Sequence, residues 1–323
     1  MSEIFVAGET LVDLLPDGNG EISEINGFSP QPGGAPANVA VGLSKLGHSP
    51  ELWTRLGTDE FSRYLESELT HWNIDTSHLH KIDGETTTLA VVSPKQGQEP
   101  RFNFYGSNDV TFGFESKNIP QTTITDCDWM HFGGVALTHP EGAIAMLEAV
   151  ELAQREGITV SFDPNLRPAL IEGSDEERVA ESVARAIELS DVIFCSPEDV
   201  LIEEISGIDN ELLAEELLNL GPHTAIVTIG EAGVVAKSTA DAPWGRYDTH
   251  HSGHEVEVVD TTGAGDAFTA ASISRFVEGD TNIESILEFA SATAGLTVSS
   301  AGGMSAFPTP DSVYTFLQSD KNP

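Results

Sequence analysis

VVDTTGAGDAFTAA, residues 258–271, is the stretch on which the fold turns. Gly263, Ala264 and Gly265 carry almost no side chain just where the apolar pattern of a helix begins. The first N–H groups of a helix lack intrahelical partners, and its dipole adds partial positive charge there. With no bulky side chains in the way, a phosphate can approach those amides closely. Asp266 follows at once. A carboxylate beside an anion pocket suits a general base, one that takes a proton from a hydroxyl as it attacks a phosphoryl group. A site that merely binds anions gains nothing from an acid in its first helical turn. In isolation, though, a glycine turn with an acid complementing the dipole reads the same way.

The chain around this stretch alternates strand and helix signals. A first strand is expected at Ile4–Ala7, and a helix over Pro36–Leu46 follows the glycine pair Gly33-Gly34. Pro36 suits the first turn, Val39, Leu43 and Leu46 form an apolar stripe, and Gly47 suits the stop. The segment between has turn signals at Asp17-Gly18 and Asn26-Gly27, which fits a hairpin and not a crossover helix. A second strand-like stretch runs from Thr86 to Phe104, with a break at Pro94–Gly97. These two excursions read as one small β-sheet, a lid over residues 11–32 and 85–112. The large domain would then hold residues 1–10, 33–84 and 113–323.

From Asp128 onward, strands at WMHFGGV, ITVSFD, DVIFC and TAIVTIG alternate with helices at Gly142–Arg155, Glu176–Glu188 and Glu211–Leu218. Strand-like pieces at Val234–Lys237 and Glu255–Val259 precede helices at Ala264–Val277 and Ile283–Ser299. This alternation predicts an α/β fold, a doubly wound and mostly parallel sheet flanked by helices. Ligands bind such sheets at the carboxyl ends of the strands. The clusters Asp163–Arg167, Ser196–Asp199, Gly230 and Asp260–Asp266 all follow predicted strands, so one site could draw on all of them.

Composition narrows the partners. The chain has 323 residues, 52 Asp plus Glu and 15 Lys plus Arg, for a formal net charge of −37. Nucleic acid and anionic membrane are repelled by such a surface. No apolar run is long enough for a membrane span, and the N-terminus has Glu3 and no basic start, so a cytoplasmic protein is expected. The acids are scattered, and lysines number only six. At 1 M salt the Debye length shrinks to about 3 Å and self-repulsion largely vanishes. The composition in this respect resembles halophilic proteins and points to a salt-rich cytoplasm. Cys127 and Cys195, far apart in sequence, suggest neither a disulfide framework nor a metal motif.

Two other nucleotide motifs fit poorly. A dinucleotide fingerprint would need a third glycine where Phe268 stands, and GEAGVVAKS has Ala236 where a Walker A loop needs glycine.

Together, GGAPANVAVGLSKLG (Gly33–Gly47) and DTTGAGDAFTAA (Asp260–Ala271) resemble the two signatures of the ribokinase-like carbohydrate kinases, at the right separation. SFDPNLRP (Ser161–Pro168) and HFGGVAL (His131–Leu137) resemble the fructokinase branch, and the likeness spans essentially the whole chain. The resemblance implies an ATP-dependent sugar kinase with Asp266 as catalytic base and Gly263, Ala264 and Gly265 as the anion hole. It implies that Asp13, Gly33, Gly34 and Asn38 hold sugar hydroxyls. Asn165 and Arg167 match a polar motif near the active site, and Thr228, Gly230 and Gly233 the nucleotide-side loop. Asp260, the Thr262 carbonyl and Gly302 match a monovalent-cation loop, which K+ would fill. Relatives often dimerise through the lid.

Some positions depart from the pattern. Relatives often organise Mg2+ through an Asn-x-x-Glu motif, and here Ser196 and Asp199 stand in those places. Ser291 stands where an Asn or His often faces adenine. Phe104-Tyr105-Gly106 lies where 2-keto-3-deoxygluconate kinases often carry an arginine for the substrate carboxylate. Gly106 cannot supply that cation, although Arg101 or Arg167 could. The expected substrate is therefore a neutral ketohexose, fructose first, contacted by Tyr105 in the lid. Keto-deoxygluconate phosphorylation is the alternative, and a non-catalytic sugar or nucleotide sensor is the rival of another class. His250, His251 and His254 read as a surface loop and not a metal site.

Overall fold

A computed structural model describes residues 3–18, 22–93, 101–106, 108–171, 175–199 and 207–320. Among the described residues, thirteen strands form two sheets. They are β1 (Ile4–Ala7), β2 (Leu11–Pro16), β3 (Phe28–Gly33), β4 (Glu51–Leu56), β5 (Leu79–Lys81), β6 (Leu89–Ser93) and β7 (Arg101–Tyr105). β8 (Trp129–Gly133), β9 (Thr159–Asp163), β10 (Val192–Cys195), β11 (Thr224–Thr228), β12 (Val234–Ser238) and β13 (Tyr247–His251) complete the set. The large sheet runs β13-β12-β11-β10-β9-β8-β1-β4-β5, and the small one β3-β2-β6-β7.

The large sheet is parallel except for β12 and β13. Its central strands are apolar on both sides, as a sheet covered on both faces requires. In β1, Phe5 and Ala7 join the core on one face, and Ile4 and Val6 the core on the other. Helices Pro140–Glu156 and Glu176–Glu188 cover the first face; Ala35–Lys45, Ala264–Val277 and Ile283–Val298 cover the second. The two strand-like excursions of the sequence do join in one sheet, with β6 parallel to β2 and β3 and β7 antiparallel at the edges. The break expected at Pro94–Gly97 lies outside the described residues.

One expectation needs correcting. Glu255–Val259 forms no strand, and the strand beside β12 is β13, which contains His250 and His251. Residues 247–251 alternate between half-buried and exposed, the pattern of an edge strand with one face packed. The loop reading therefore fails for His250 and His251 and holds for His254, which follows the strand. His250 instead makes a 2.9 Å hydrogen bond between its Nε2 and the Ala232 carbonyl.

The small sheet is anchored to the large one at defined points. The buried Arg55 guanidinium donates to the carbonyls of Val110 and Gly113, just beyond β7. Asp59 accepts from both the backbone N–H and the hydroxyl of Thr87, just before β6. Arg167 stacks its guanidinium 5.3 Å from the Phe102 ring of β7.

Gly134, at the end of β8, donates its N–H to the Asp163 carbonyl at 2.9 Å. A Cβ there would overlap the Pro164 carbonyl. Only glycine lets the β8 end pack against the loop carrying Asn165 and Arg167. Gly134→Ala should therefore lose about 1–3 kcal/mol through overpacking, read as a melting temperature lower by several degrees.

Candidate active site

The carboxyl ends of β1, β9, β10 and β11 and the start of the 264–277 helix meet on one side of the sheet. Asp266 lies there, buried in the first helical turn. The Nδ2 of Asn38 donates to its Oδ2 at 2.6 Å, and the Nδ2 of Asn165 lies 3.4 Å from its Oδ1. Residues 228 and 101 positions away in sequence thus converge on one carboxylate. Asn165 adopts a left-handed backbone, φ 38°, which asparagine tolerates better than most residues. The Asn38 Oδ1 is buried with no partner, an acceptor available to a ligand hydroxyl.

The helix start is open. The Ala264 N–H turns back to the Thr261 carbonyl at 3.2 Å, while among the described residues no hydrogen bond engages the amides of Gly263, Gly265 or Asp266. A Cβ on Gly265 would meet nothing within 4 Å. Space and free donors therefore coincide beside the Asp266 carboxyl group, with Asp266 contributing its own amide where Ala264 does not.

The other expected residues fall into groups around this point. Asp13 projects from β2 over Gly33, where any side chain would overlap its carboxylate. Gly34, φ 102°, begins the helix that carries Asn38. Ser196 donates its hydroxyl to Asp199 at 2.6 Å, and Arg167 faces Asp199 at 4.0 Å. Thr228 donates its hydroxyl to the Cys195 carbonyl at 3.3 Å, which places the Gly230–Gly233 turn beside the Ser196 segment. Asp260 accepts from the Thr262 N–H at 2.9 Å and from the Gly302 N–H at 3.2 Å, so one carboxylate joins both loops. Tyr105 is 58% exposed on the small sheet, and Ser291 is buried in the helix Ile283–Val298; the side chains that hydrogen-bond the Asp266 carboxylate among the described residues are Asn38 and Asn165. The side chain of Arg101 lies outside the described residues.

Two acids belong here to which the sequence reading gave no role: Asp163, which it placed in the strand-end cluster Asp163–Arg167, and Glu9, which it did not name. Both are buried. The signal for Asp163 was its place at the end of a predicted strand; Glu9 carried no motif of its own. Burial pushes the carboxyl of Asp163 well above its usual range, and the charges of Asp199 and Asp266 push it further. Burial likewise raises Asp266 to about 6, against the opposing pull of the Asn38 hydrogen bond and the Arg167 charge. Glu9 and Asp13 are raised to about 7, again by burial first. One guanidinium, that of Arg167, serves all of these groups.

Among the described residues, no group of three His, Cys, Asp or Glu side chains is arranged to hold a metal ion. A preformed cage is not required for Mg2+, which is ordinarily held by one or two carboxylates together with substrate phosphates. Asp163 and Asp199, repelling one another across the site, fit that role.

The whole chain, not only this site, matches a known pattern. Residues 1–310 match the model of the pfkB family carbohydrate kinases. The chain belongs to that family. It is a phosphotransferase acting on a sugar. It is 31% identical to a fructokinase of Klebsiella pneumoniae over 98% of this chain and 99% of that one. A fructokinase from Xylella fastidiosa with bound ATP superposes with a TM-score of 0.86 at 26% identity, covering 99% of both chains. A fructokinase from Vibrio cholerae with fructose, ADP and calcium bound gives 0.84 at 28%, covering 98% of this chain and 99% of that one. The pfkB chain therefore has the ribokinase-like α/β fold, with its second, small sheet.

A base must be deprotonated to act. With Asp266 raised to about 6, kcat/KM should fall about tenfold per pH unit below that point. Because Glu9 and Asp13 titrate nearby, the midpoint belongs to the cluster as a whole. An initial-rate profile from pH 5 to 9 measures it, and a flat acid limb would remove Asp266 from the role of base.

Proposed function

We propose that this chain transfers the γ-phosphoryl group of ATP to a hydroxyl of fructose. The observation that carries this reading is the Asp266 carboxylate, held by Asn38 and Asn165 beside an open helix start. Fructokinase relatives along nearly the whole chain support the choice of sugar. Asp13 and the free Asn38 Oδ1 would take sugar hydroxyls, and Asp266 would receive the proton of the attacking one. The Gly263, Gly265 and Asp266 amides would accept the migrating phosphoryl charge, the usual largest contribution in such sites. Thr228, Gly230 and Gly233 would border the nucleotide, with Ser291 further along the second face. Asp163 and Asp199 would hold Mg2+, Ser196 fixing Asp199. Bound there, the ion supplies charge to offset the phosphate oxygens. Asp260 would keep the Thr262 and Gly302 segments together as a K+ loop.

Residues 11–32 and 85–112 would act as the lid, carrying Tyr105 toward the sugar and excluding water. Arg167 touches both Asp199 and the lid residue Phe102, so it would report lid position to the phosphate side. A dimer through the lid edge strands fits the exposed Phe28 and Tyr105. Arg167 is the one described guanidinium at the site and already faces five carboxyl groups. A substrate carboxylate would compete with them, which favours a neutral sugar over 2-keto-3-deoxygluconate. The net charge of −37 adds that the enzyme works in a salt-rich cytoplasm.

An ATP-consumption panel in molar KCl with Mg2+ tests this. It should include fructose, glucose, ribose, 2-keto-3-deoxygluconate, fructose phosphates and adenosine. Fructose should give the highest kcat/KM, and both rate and melting temperature should drop in dilute buffer. A higher rate with 2-keto-3-deoxygluconate would overturn the choice of sugar. Sugar binding without ATP consumption would make the chain a sensor.

A further inference from the structure

The helix Ala35–Lys45 carries Asn38 to Asp266, yet its own start is poorly secured. Its N-cap is Gly34, which has no side chain to cap it, and Pro36 in its first turn has no N–H. The missing cap comes from elsewhere in the fold. Glu9, just past β1, lays its Oε1 3.2 Å from the Ala35 N–H and accepts from it. Glu9 is 3% exposed, and its second oxygen, Oε2, is buried with no partner. Burying a carboxylate is costly unless it is bonded, so a position that keeps one must depend on it. The packing around it leaves little freedom. A Cβ on Gly34 would overlap the Glu9 carbonyl, and one on Gly8 or Gly133 would press into Pro36. The ends of β1 and β8 and the helix start thus form one close junction, and Glu9 is its polar pin.

We infer that Glu9 is a positioning residue: it caps the 35–45 helix across the fold and so sets where Asn38 holds Asp266. This rests on the kinase reading of Asp266. The effect travels through two bonds, Glu9 to the Ala35 N–H and Asn38 to Asp266. A helix start that loosens by a fraction of an ångström moves the amide at Asn38, three residues on, and with it the base. Misplacement on that scale costs turnover far more than ground-state binding.

The test uses two substitutions of similar size. Glu9→Gln keeps an acceptor for the Ala35 N–H, whereas Glu9→Met fills the space and offers none. Glu9→Met also removes a buried charge, so it is expected to fold, which a melting curve checks. With the best sugar of the panel, E9M should lose about tenfold or more in kcat with KM for ATP unchanged, and E9Q should stay within about threefold of wild type. In an Asn38→Ala background, E9M should cost little further, because its route to Asp266 is already cut. Hydrogen exchange at the amides of Ala35, Ala37 and Asn38 should rise in E9M and not in E9Q. That readout needs no substrate, so it separates this inference from the kinase reading. A wild type inert toward every sugar would sink the kinase reading alone. Equal losses in E9Q and E9M, full additivity with N38A, or unchanged exchange in E9M would each overturn the role of Glu9.

Discussion

A carboxylate buried at a helix start has to be kept ionisable and pointed; for Asp266 two amides do the pointing, and one of them, with a guanidinium, favours the charge. Asn38 meets its Oδ2 and Asn165 its Oδ1. Burial first, and the charge of Asp199, favour the neutral form; the Asn38 hydrogen bond and the Arg167 charge favour the charged one. The balance leaves the group near 6, suitable for taking a proton at neutral pH. Much of the fold can be read as support for that arrangement. The parallel sheet brings the ends of β1, β9 and β10 together, and Gly134 lets the Asn165 loop sit close to β8. Helix packing on the second face brings the 35–45 and 264–277 helices side by side, so that Asn38 can reach Asp266.

The second constraint is charge. Glu9, Asp13, Asp163, Asp199 and Asp266 crowd around Arg167. Without ligands this is an unfavourable set, since burial raises every one of these acids. Groups whose folded pKa is raised weaken the fold as pH climbs through that pKa. Here the window runs from about 4 to about 7, set by Asp266, Glu9 and Asp13. On the proposed reaction, a divalent cation at Asp163 and Asp199 relieves the crowding, so stability and ligand binding draw on the same residues.

The sequence made much of this legible where chemistry and pattern coincide. The glycine-flanked helix start, the strand ends at Asp163 and Cys195, and the two strand excursions of the small sheet all appear in the structure where the residues suggested. The exception at 247–259 has a physical reason. Val256, Val258 and Val259 look like strand, but Val258 and Val259 are more than half exposed, while polar Tyr247–His251 pairs with β12. Edge strands are chosen by pairing partners that local apolarity does not reveal. Glu9 was illegible for a similar reason: its partner at Ala35 lies 26 residues away and is a bare backbone amide. The use of the Ala264 amide inside its own turn depends on a 3.2 Å contact that no spacing of glycines discloses.

The most direct test of the account is the turnover of Asp266→Asn. That change preserves the shape of the side chain and one acceptor, for Asn38; it removes the charge, the acceptor facing Asn165 and the capacity to take up a proton. Single-turnover phosphoryl transfer to fructose should slow by at least about a hundredfold, with the melting temperature and sugar affinity close to wild type. A variant that transfers phosphate at a near-normal rate would contradict the account, because the geometry that Asn38 and Asn165 maintain would then serve no proton transfer.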